Sequence, residues 1–203
     1  MNTKPWLPYV APFAIYMAFL TIQTPANLIW VYPLKVLLVA AALLVFRRRY
    51  EELRPGFSWL AVGIGLLAIV IWIVIDPFYP KFGPATPFDA SGQWLFILAR
   101  VIGAVIVVPL MEELFWRAFL IRWIIHPDFK KVPVGSFTWL SFALTVALFG
   151  AEHREWLAGL ICGALYNWLY YRRKNVFDCV VAHAVSNAAL AGYVLASGAW
   201  KFW

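Results

Sequence analysis

Long runs of apolar residues, most of them close to the length of a membrane crossing, alternate along this chain with short segments that collect the charges. A helix needs about 20 mostly apolar residues to cross a bilayer, because every backbone polar group must be satisfied within the segment. Runs at 7–23, 27–46, 57–75, 94–125, 135–151 (starting at Gly135 or Ser136), 156–171 and 176–196 meet or approach that length. They predict an all-α fold, a polytopic transmembrane helical bundle of roughly seven spans. Thr24-Pro25-Ala26 predicts a tight turn between the first two runs, and Pro12 and Pro33 are expected to bend them. Residues 76–92, rich in proline, glycine and aromatic side chains, predict a loop with no helix of its own. The run 94–125 is too long for one ordinary span, so it is either a long tilted helix or one broken near Pro109. Gly159 and Gly163 form a G-x-x-x-G pattern that lets another helix approach closely. With no internal repeat and no dividing linker, residues 1–203 are expected to form one integral-membrane domain, its motif-bearing core at about 93–197.

Composition sharpens this picture. Of the 203 residues 64% are hydrophobic and 13% charged, against roughly half and a quarter in soluble domains. The net charge of +7 resides largely in short clusters, Arg47-Arg48-Arg49, Lys130-Lys131 and Arg172-Arg173-Lys174. Such clusters between apolar runs set topology, and no nucleic-acid partner is expected. An inside N-terminus places all three on one side after alternate crossings, which predicts a cytoplasmic N-terminus, with a bacterial inner membrane as the expected location. Residues 1–5 carry one lysine, and no clear small-residue cleavage site follows, so the first span is expected to be retained. Cys162 and Cys179 have neither C-x-x-C nor paired spacing and read as small packing residues. Trp30, Trp94, Trp139, Tyr170 and Tyr171, near segment ends, suit interfacial anchoring or core positions equally.

Against this background Glu112-Glu113-Leu114-Phe115-Trp116-Arg117 stands out, three charges inside an apolar run. Intramembrane ionisable groups are costly and mark function by default. Glu113 and Arg117 have the spacing and order of an i,i+4 ion pair, while Glu112 is rotated about 100° away. The bland alternative is a buried charge cluster that fixes packing. Phe149 and His153 lie one helical turn apart at the end of the fifth run; in isolation His153 reads more readily as a residue of a polar loop, beside Glu152, Arg154 and Glu155. His126, before Pro127 in a basic loop, reads as structural or solvated. His183 and Asn187 stack one turn apart inside the last run, where the bland reading is a helix-to-helix hydrogen bond with a partner such as Asn167. Together Glu112, Glu113, Arg117, His153, His183 and Asn187 supply the parts of a hydrolase: a carboxylate base, and imidazole and carboxamide groups for an oxyanion. No G-x-S-x-G and no H-E-x-x-H is present, so direct attack by an activated water is the simplest chemistry.

Glu112-Glu113-x-x-x-Arg117, Phe149-x-x-x-His153 and His183-x-x-x-Asn187, in this order, resemble the three motifs of the type II CAAX prenyl endopeptidase family, also called CPBP or ABI, of intramembrane glutamyl proteases and their relatives. The resemblance covers about 100–195. Residues 156–168 further resemble the subgroup associated with exosortase and PEP-CTERM sorting. The resemblance implies that Glu112, helped by His153, activates the water, that His183 and Asn187 stabilise the oxyanion, and that Glu113 and Arg117 orient Glu112 and its helix. It also implies a cavity open to the cytosol, cleavage near a peptide C-terminus and no cofactor. The expected partners are the lipid bilayer and a peptide or protein substrate, lipidated or membrane-anchored, although nothing in the chain indicates prenyl recognition. A divalent metal held by Glu112, His153 and His183 is the alternative chemistry, and a non-catalytic scaffold or immunity protein the alternative class. A transporter has no support, since paired half-length segments and internal symmetry are missing. Straight, fully spanning helices would put Glu112 and His183 toward the inside half and His153 toward the outside, so the fifth run is expected to be tilted or to begin deep.

Overall fold

The computed structural model describes residues 4–56, 58–83 and 87–203. Position 57, the expected start of the third run, lies outside the described residues, as do 1–3 of the N-terminal segment and 84–86 of the 76–92 loop. Seven helices make up the described bundle: α1 (Leu7–Leu20), α2 (Leu28–Phe46), α3 (Trp59–Ile75), α4 (Trp94–Ile125), α5 (Trp139–Ala151), α6 (Trp156–Arg173) and α7 (Val176–Ser197). Short 3-10 turns are the only other regular structure, with no strand among the described residues. The stretches Leu28–Arg49, Trp59–Phe78, Trp94–Ile125 and Val176–Ser197 are long and apolar enough to cross a membrane, whereas α1 and α5 are apolar but shorter. The chain is an integral membrane protein.

Local chemistry explains several helix ends. Thr138 caps α5 by accepting from the Ser141 amide at 3.1 Å, and Asn175 caps α7 by accepting from the Phe177 amide at 2.8 Å. Lys174 takes the left-handed conformation that stops α6, at φ 50°, and Gly198 does the same for α7 at φ 68°.

The long fourth run resolves as one helix of 32 residues, about 48 Å at 1.5 Å per residue. That exceeds the ~30 Å hydrocarbon layer, so α4 must tilt or project beyond it. Two widened π-helical turns, Gly103–Val107 and Leu114–Leu120, flank a short α segment holding Pro109, Glu112 and Glu113. Proline has no amide to donate and crowds the carbonyl four residues back, and a π turn at that point relieves both without breaking the helix. The motif glutamates therefore sit between two points where α4 departs from regular geometry.

Close helix approaches rest on small residues. A Cβ on Gly65 would stand 2.3 Å from the Ala182 carbonyl oxygen, so α3 and α7 are in backbone contact there. A Cβ on Gly159 would meet the Cα of Gly150 at 3.0 Å, and one on Gly163 the Phe149 ring at 3.2 Å. The G-x-x-x-G face of α6 thus receives α5. Cys162 and Cys179 are buried free thiols. Trp30, Trp94 and Trp139 lie on the surface, whereas Tyr170 is core and Tyr171 half-buried.

The connections sort into two ends. At one, the α2–α3, α4–α5 and α6–α7 links meet the start of α1. There the Tyr9 hydroxyl donates to Glu52 at 2.7 Å, and Arg122 and Lys130 pair with the same carboxylate at 2.7 and 2.9 Å. The three basic clusters lie in this end's links or at the adjoining helix termini. At the other end the α3–α4 loop covers the α5–α6 turn, with Trp156 donating to the Pro80 carbonyl at 2.8 Å and the Phe82 amide to the Arg154 carbonyl at 3.0 Å.

Candidate active site

Glu112, His153, His183 and Asn187 line one cavity of about 270 Å³. They come from α4, the α5–α6 turn and α7, so three separate parts of the chain converge. The expected conflict of depth between Glu112 and His153 does not arise, since both line this one cavity, and α5, with 13 residues, rises only about 20 Å.

Glu112 is 5% exposed, and its Oε2 has no hydrogen-bond partner among the described residues. Its neighbour faces the other way. Glu113, fully buried, accepts a hydrogen bond from Arg117 on Oε1 at 3.1 Å, and the same guanidinium nitrogen lies 3.1 Å from Oε2 in the i,i+4 ion pair that the spacing predicts. Arg117 also donates to Asn167 Oδ1 at 3.2 Å and to the Gly163 carbonyl at 3.4 Å, and Asn167 in turn donates to Thr145 Oγ1 at 2.9 Å. Asn167 thus serves Arg117 and not His183.

Glu113 Oε1 lies 2.9 Å from His183 Nδ1. Glu113, paired with Arg117, therefore contacts His183, where the expectation has the pair orient Glu112 and its helix. Tyr166 stacks on the imidazole with ring centres 5.3 Å apart, and its hydroxyl shares a 2.6 Å hydrogen bond with Ser186. With Nδ1 engaged and one face covered, Nε2 is left for the cavity that His183 lines. One turn on, Asn187 donates from Nδ2 to the Ala104 carbonyl at 2.7 Å, inside the first widened turn of α4. The amide keeps a second N–H.

His153 is held differently. Its Nδ1 lies 2.7 Å from the Phe149 carbonyl oxygen, which can only accept, so Nδ1 carries a proton, and in the neutral ring Nε2 holds the lone pair. Trp72 packs edge-on at 5.4 Å and Phe149 lies at 4.9 Å. The phenylalanine of the second motif therefore supplies both a backbone acceptor and a ring beside the imidazole. Gly159 keeps this end of α5 close, since a Cβ there would also crowd His153 Cβ at 3.3 Å.

One residue that sequence reasoning assigned only to the loop belongs to this group. Ligand atoms of Glu112, Glu152 and His153 lie within 4.8 Å of one another. Glu152 Oε1 stands 3.8 Å from His153 Nδ1. The only sequence signal for Glu152 is its adjacency to His153. The three groups can share a water or a divalent cation, and this trio differs from the expected one, because His183 is turned to Glu113 and Glu152 takes its place.

His126 stays apart, exposed in the α4–α5 link and accepting from the Asp128 amide at 3.0 Å.

Comparison with known proteins agrees with the motifs. Residues 92–189 match the family model described as type II CAAX prenyl endopeptidase Rce1-like. That stretch includes α4 through most of α7 and all four cavity-lining motif residues. No curated protein and no solved structure matches the chain. Over residues 92–189, this membrane protein is similar to the Rce1-like type II CAAX prenyl endopeptidase family, a family of proteases.

Proposed function

We propose that the protein is an intramembrane endopeptidase that hydrolyses a peptide bond of a membrane-associated substrate with a water activated by Glu112. The observation that carries this reading is the convergence of the unpaired Glu112 carboxylate, His153, His183 and Asn187 on one cavity. Glu112 takes a proton from a water that also donates to His153 Nε2. The water oxygen bonds to the scissile carbonyl carbon, and its C=O electron pair moves onto oxygen. The second N–H of Asn187 and, when the His183 ring carries a proton on both nitrogens, its Nε2–H hold that oxyanion. Glu112 returns the proton to the departing amide nitrogen as the C–N bond breaks. Glu113 and Arg117 keep His183 in place, and Glu152 adds a second carboxyl beside the water.

The orientation we propose places the N-terminus in the cytosol, in a bacterial inner membrane. The basic end of the bundle then faces inward. The cavity is lined by Leu20, Gln23 and Trp203, all at the opposite end, so peptide enters from the extracytoplasmic side. This departs from the cytosol-open cavity that the family resemblance implies. It suits the subgroup associated with exosortase and PEP-CTERM sorting.

Glu112→Gln tests the reaction. Loss of peptide hydrolysis by about 10²–10⁴-fold with an unchanged melting temperature is expected, and substrates should accumulate intact. Retention of the biological effect by the folded variant would instead identify a scaffold. Activity is expected to survive dialysis against a chelator. Loss restored by zinc would assign a metal to Glu112, Glu152 and His153.

A further inference from the structure

A second cavity, of about 510 Å³, opens at the basic end of the bundle, where the α2–α3, α4–α5 and α6–α7 links meet. Five cations line it, Arg54, Arg122, Lys130, Arg173 and Lys174, against two carboxylates, Glu51 and Glu52. Glu52 is already saturated. Arg122 and Lys130 share its Oε1 at 2.7 and 2.9 Å, and the Tyr9 hydroxyl takes Oε2 at 2.7 Å. Glu51 is exposed and stands 4.0 Å from Lys130, where solvent screening leaves little of the attraction. Arg173 is turned to Asp178 at 2.8 Å. Arg54 and Lys174 have no carboxylate within 4.0 Å among the described residues. Five cations against the two wall carboxylates and Asp178 leave an excess of two positive charges.

Arg122, 4% exposed, is the most buried of these cations. Its Nε donates to the Val132 carbonyl at 2.8 Å, and its Nη1 donates to Glu52 and, at 2.9 Å, to the Ala118 carbonyl. Nη2 donates to no described residue, and the cavity that Arg122 lines is where its two N–H groups can meet an acceptor. A buried donor left without an acceptor is costly, and a guanidinium edge matches phosphate oxygens. Asn175 Nδ2 donates to the Arg54 carbonyl at 3.4 Å, which holds the α2–α3 link beside Lys174. The free cations and the free N–H groups thus belong to one wall.

Exposed tryptophans mark the depth of this wall. Trp59 opens α3 and Trp139 opens α5, 78% and 77% exposed, the position such rings take at the headgroup layer. Arg54 and Val134 stand five residues before these helix starts, and Lys174 two before that of α7. The cavity therefore lies at headgroup level, and basic pockets between helices at that level take anionic headgroups.

We propose that this cavity binds the phosphate of an anionic phospholipid, with Arg122 Nη2, Arg54 and Lys174 as its donors. Its volume falls within the roughly 300–1,000 Å³ of ligand sites, more than a bare phosphate fills, and takes a phosphate with its glycerol headgroup. A zwitterionic lipid would bring a further cation to a wall already in positive excess. The cavity contains none of Glu112, His153, His183 and Asn187, so the inference is independent of peptide hydrolysis. A lipid held there would bridge the three links of the basic end.

The test uses the full-length protein, delipidated in detergent micelles, with bound lipid read by native mass spectrometry and stability by melting temperature. Phosphatidylglycerol is expected to form one saturable adduct, about tenfold or more tighter than phosphatidylcholine, and to raise the melting temperature. The double variant Arg54→Gln, Lys174→Asn should lose that preference while melting, without lipid, as the wild type does. Both side chains are exposed, and asparagine accepts the left-handed backbone at 174. The double variant Arg47→Gln, Arg48→Gln, in the same basic end but outside the cavity wall, should keep the preference. Equal binding of the two lipids by the wild type overturns the proposal. So does a preference that survives loss of Arg54 and Lys174, or one that falls equally in the Arg47 and Arg48 variant, which would assign it to surface charge at large. Inorganic phosphate that displaces phosphatidylglycerol and raises the melting temperature as far would assign the site to a soluble phosphate and reject the lipid. The comparison of lipids on the wild type needs no substitution, so a misfolded variant does not obscure it.

Discussion

Glu113 Oε1 lies 2.9 Å from His183 Nδ1, and the same carboxylate is paired with Arg117. All three side chains are buried, so removing one member leaves charge in a low-dielectric interior without its counter-charge, a loss of about 3–5 kcal/mol. Arg117→Met is expected to lower thermal stability by that order, read as a fall in melting temperature in detergent. Glu113→Gln, which keeps the shape and one oxygen acceptor, should fold better than Arg117→Met yet lose roughly 10–100-fold in hydrolysis, the range seen when a supporting hydrogen bond behind a functional histidine is removed. Full activity in the Glu113→Gln protein would show that His183 needs no support.

Stability should fall in acid through Glu52, at the basic end. Burial alone would raise this carboxyl, but hydrogen bonds from Arg122, Tyr9 and Lys130 outweigh it and hold the group below its ordinary value. A depressed carboxyl contributes stability that is fully present above the unfolded value of about 4.3 and is lost as pH falls through the folded one. Melting temperatures of the wild-type and Glu52→Gln proteins should therefore differ near neutrality and converge in acid. A gap that stays constant between neutral and strongly acidic pH contradicts this account.

Gly159→Val is expected to separate α5 from α6, since even its Cβ would stand 3.0 Å from the Gly150 Cα and 3.3 Å from His153 Cβ. Overpacking of this kind costs about 1–3 kcal/mol. Displacement of His153 should depress hydrolysis further than the drop in melting temperature accounts for. Gly192→Ala, where a Cβ meets nothing within 4 Å, is the matched control and should leave both unchanged.

Sidedness is open to a labelling experiment. Ser91 lies exposed before α4 at the cavity end, and Lys131 is exposed at the basic end. A membrane-impermeant maleimide should modify Ser91→Cys in intact cells and Lys131→Cys only after permeabilisation. The reverse pattern would return the cavity to the cytosolic face.

Much of this arrangement is legible in the residues. Apolar runs located all seven helices to within a few residues because hydrocarbon length and backbone satisfaction leave little freedom. Glu113 and Arg117 announce their pairing through helical spacing alone. The unbroken course of α4 through Pro109 is not legible, because whether a proline breaks a helix or is absorbed by a π turn depends on what packs around it. Glu152 is hidden for a related reason. Beside Arg154 and Glu155 it has the look of a solvated turn, and only packing between helices brings that turn against Glu112.

The length of α5 also bears on the lipid around the protein. Thirteen residues reach about 20 Å, some ten short of the hydrocarbon thickness, and Trp139 at its start is 77% exposed. A bilayer meeting so short a wall must thin locally or leave a dent above it. Such a dent would lie over the turn that carries Glu152 and His153. Water would then reach the proposed hydrolytic centre down a shallow depression in the membrane surface, without a dedicated channel through the bundle.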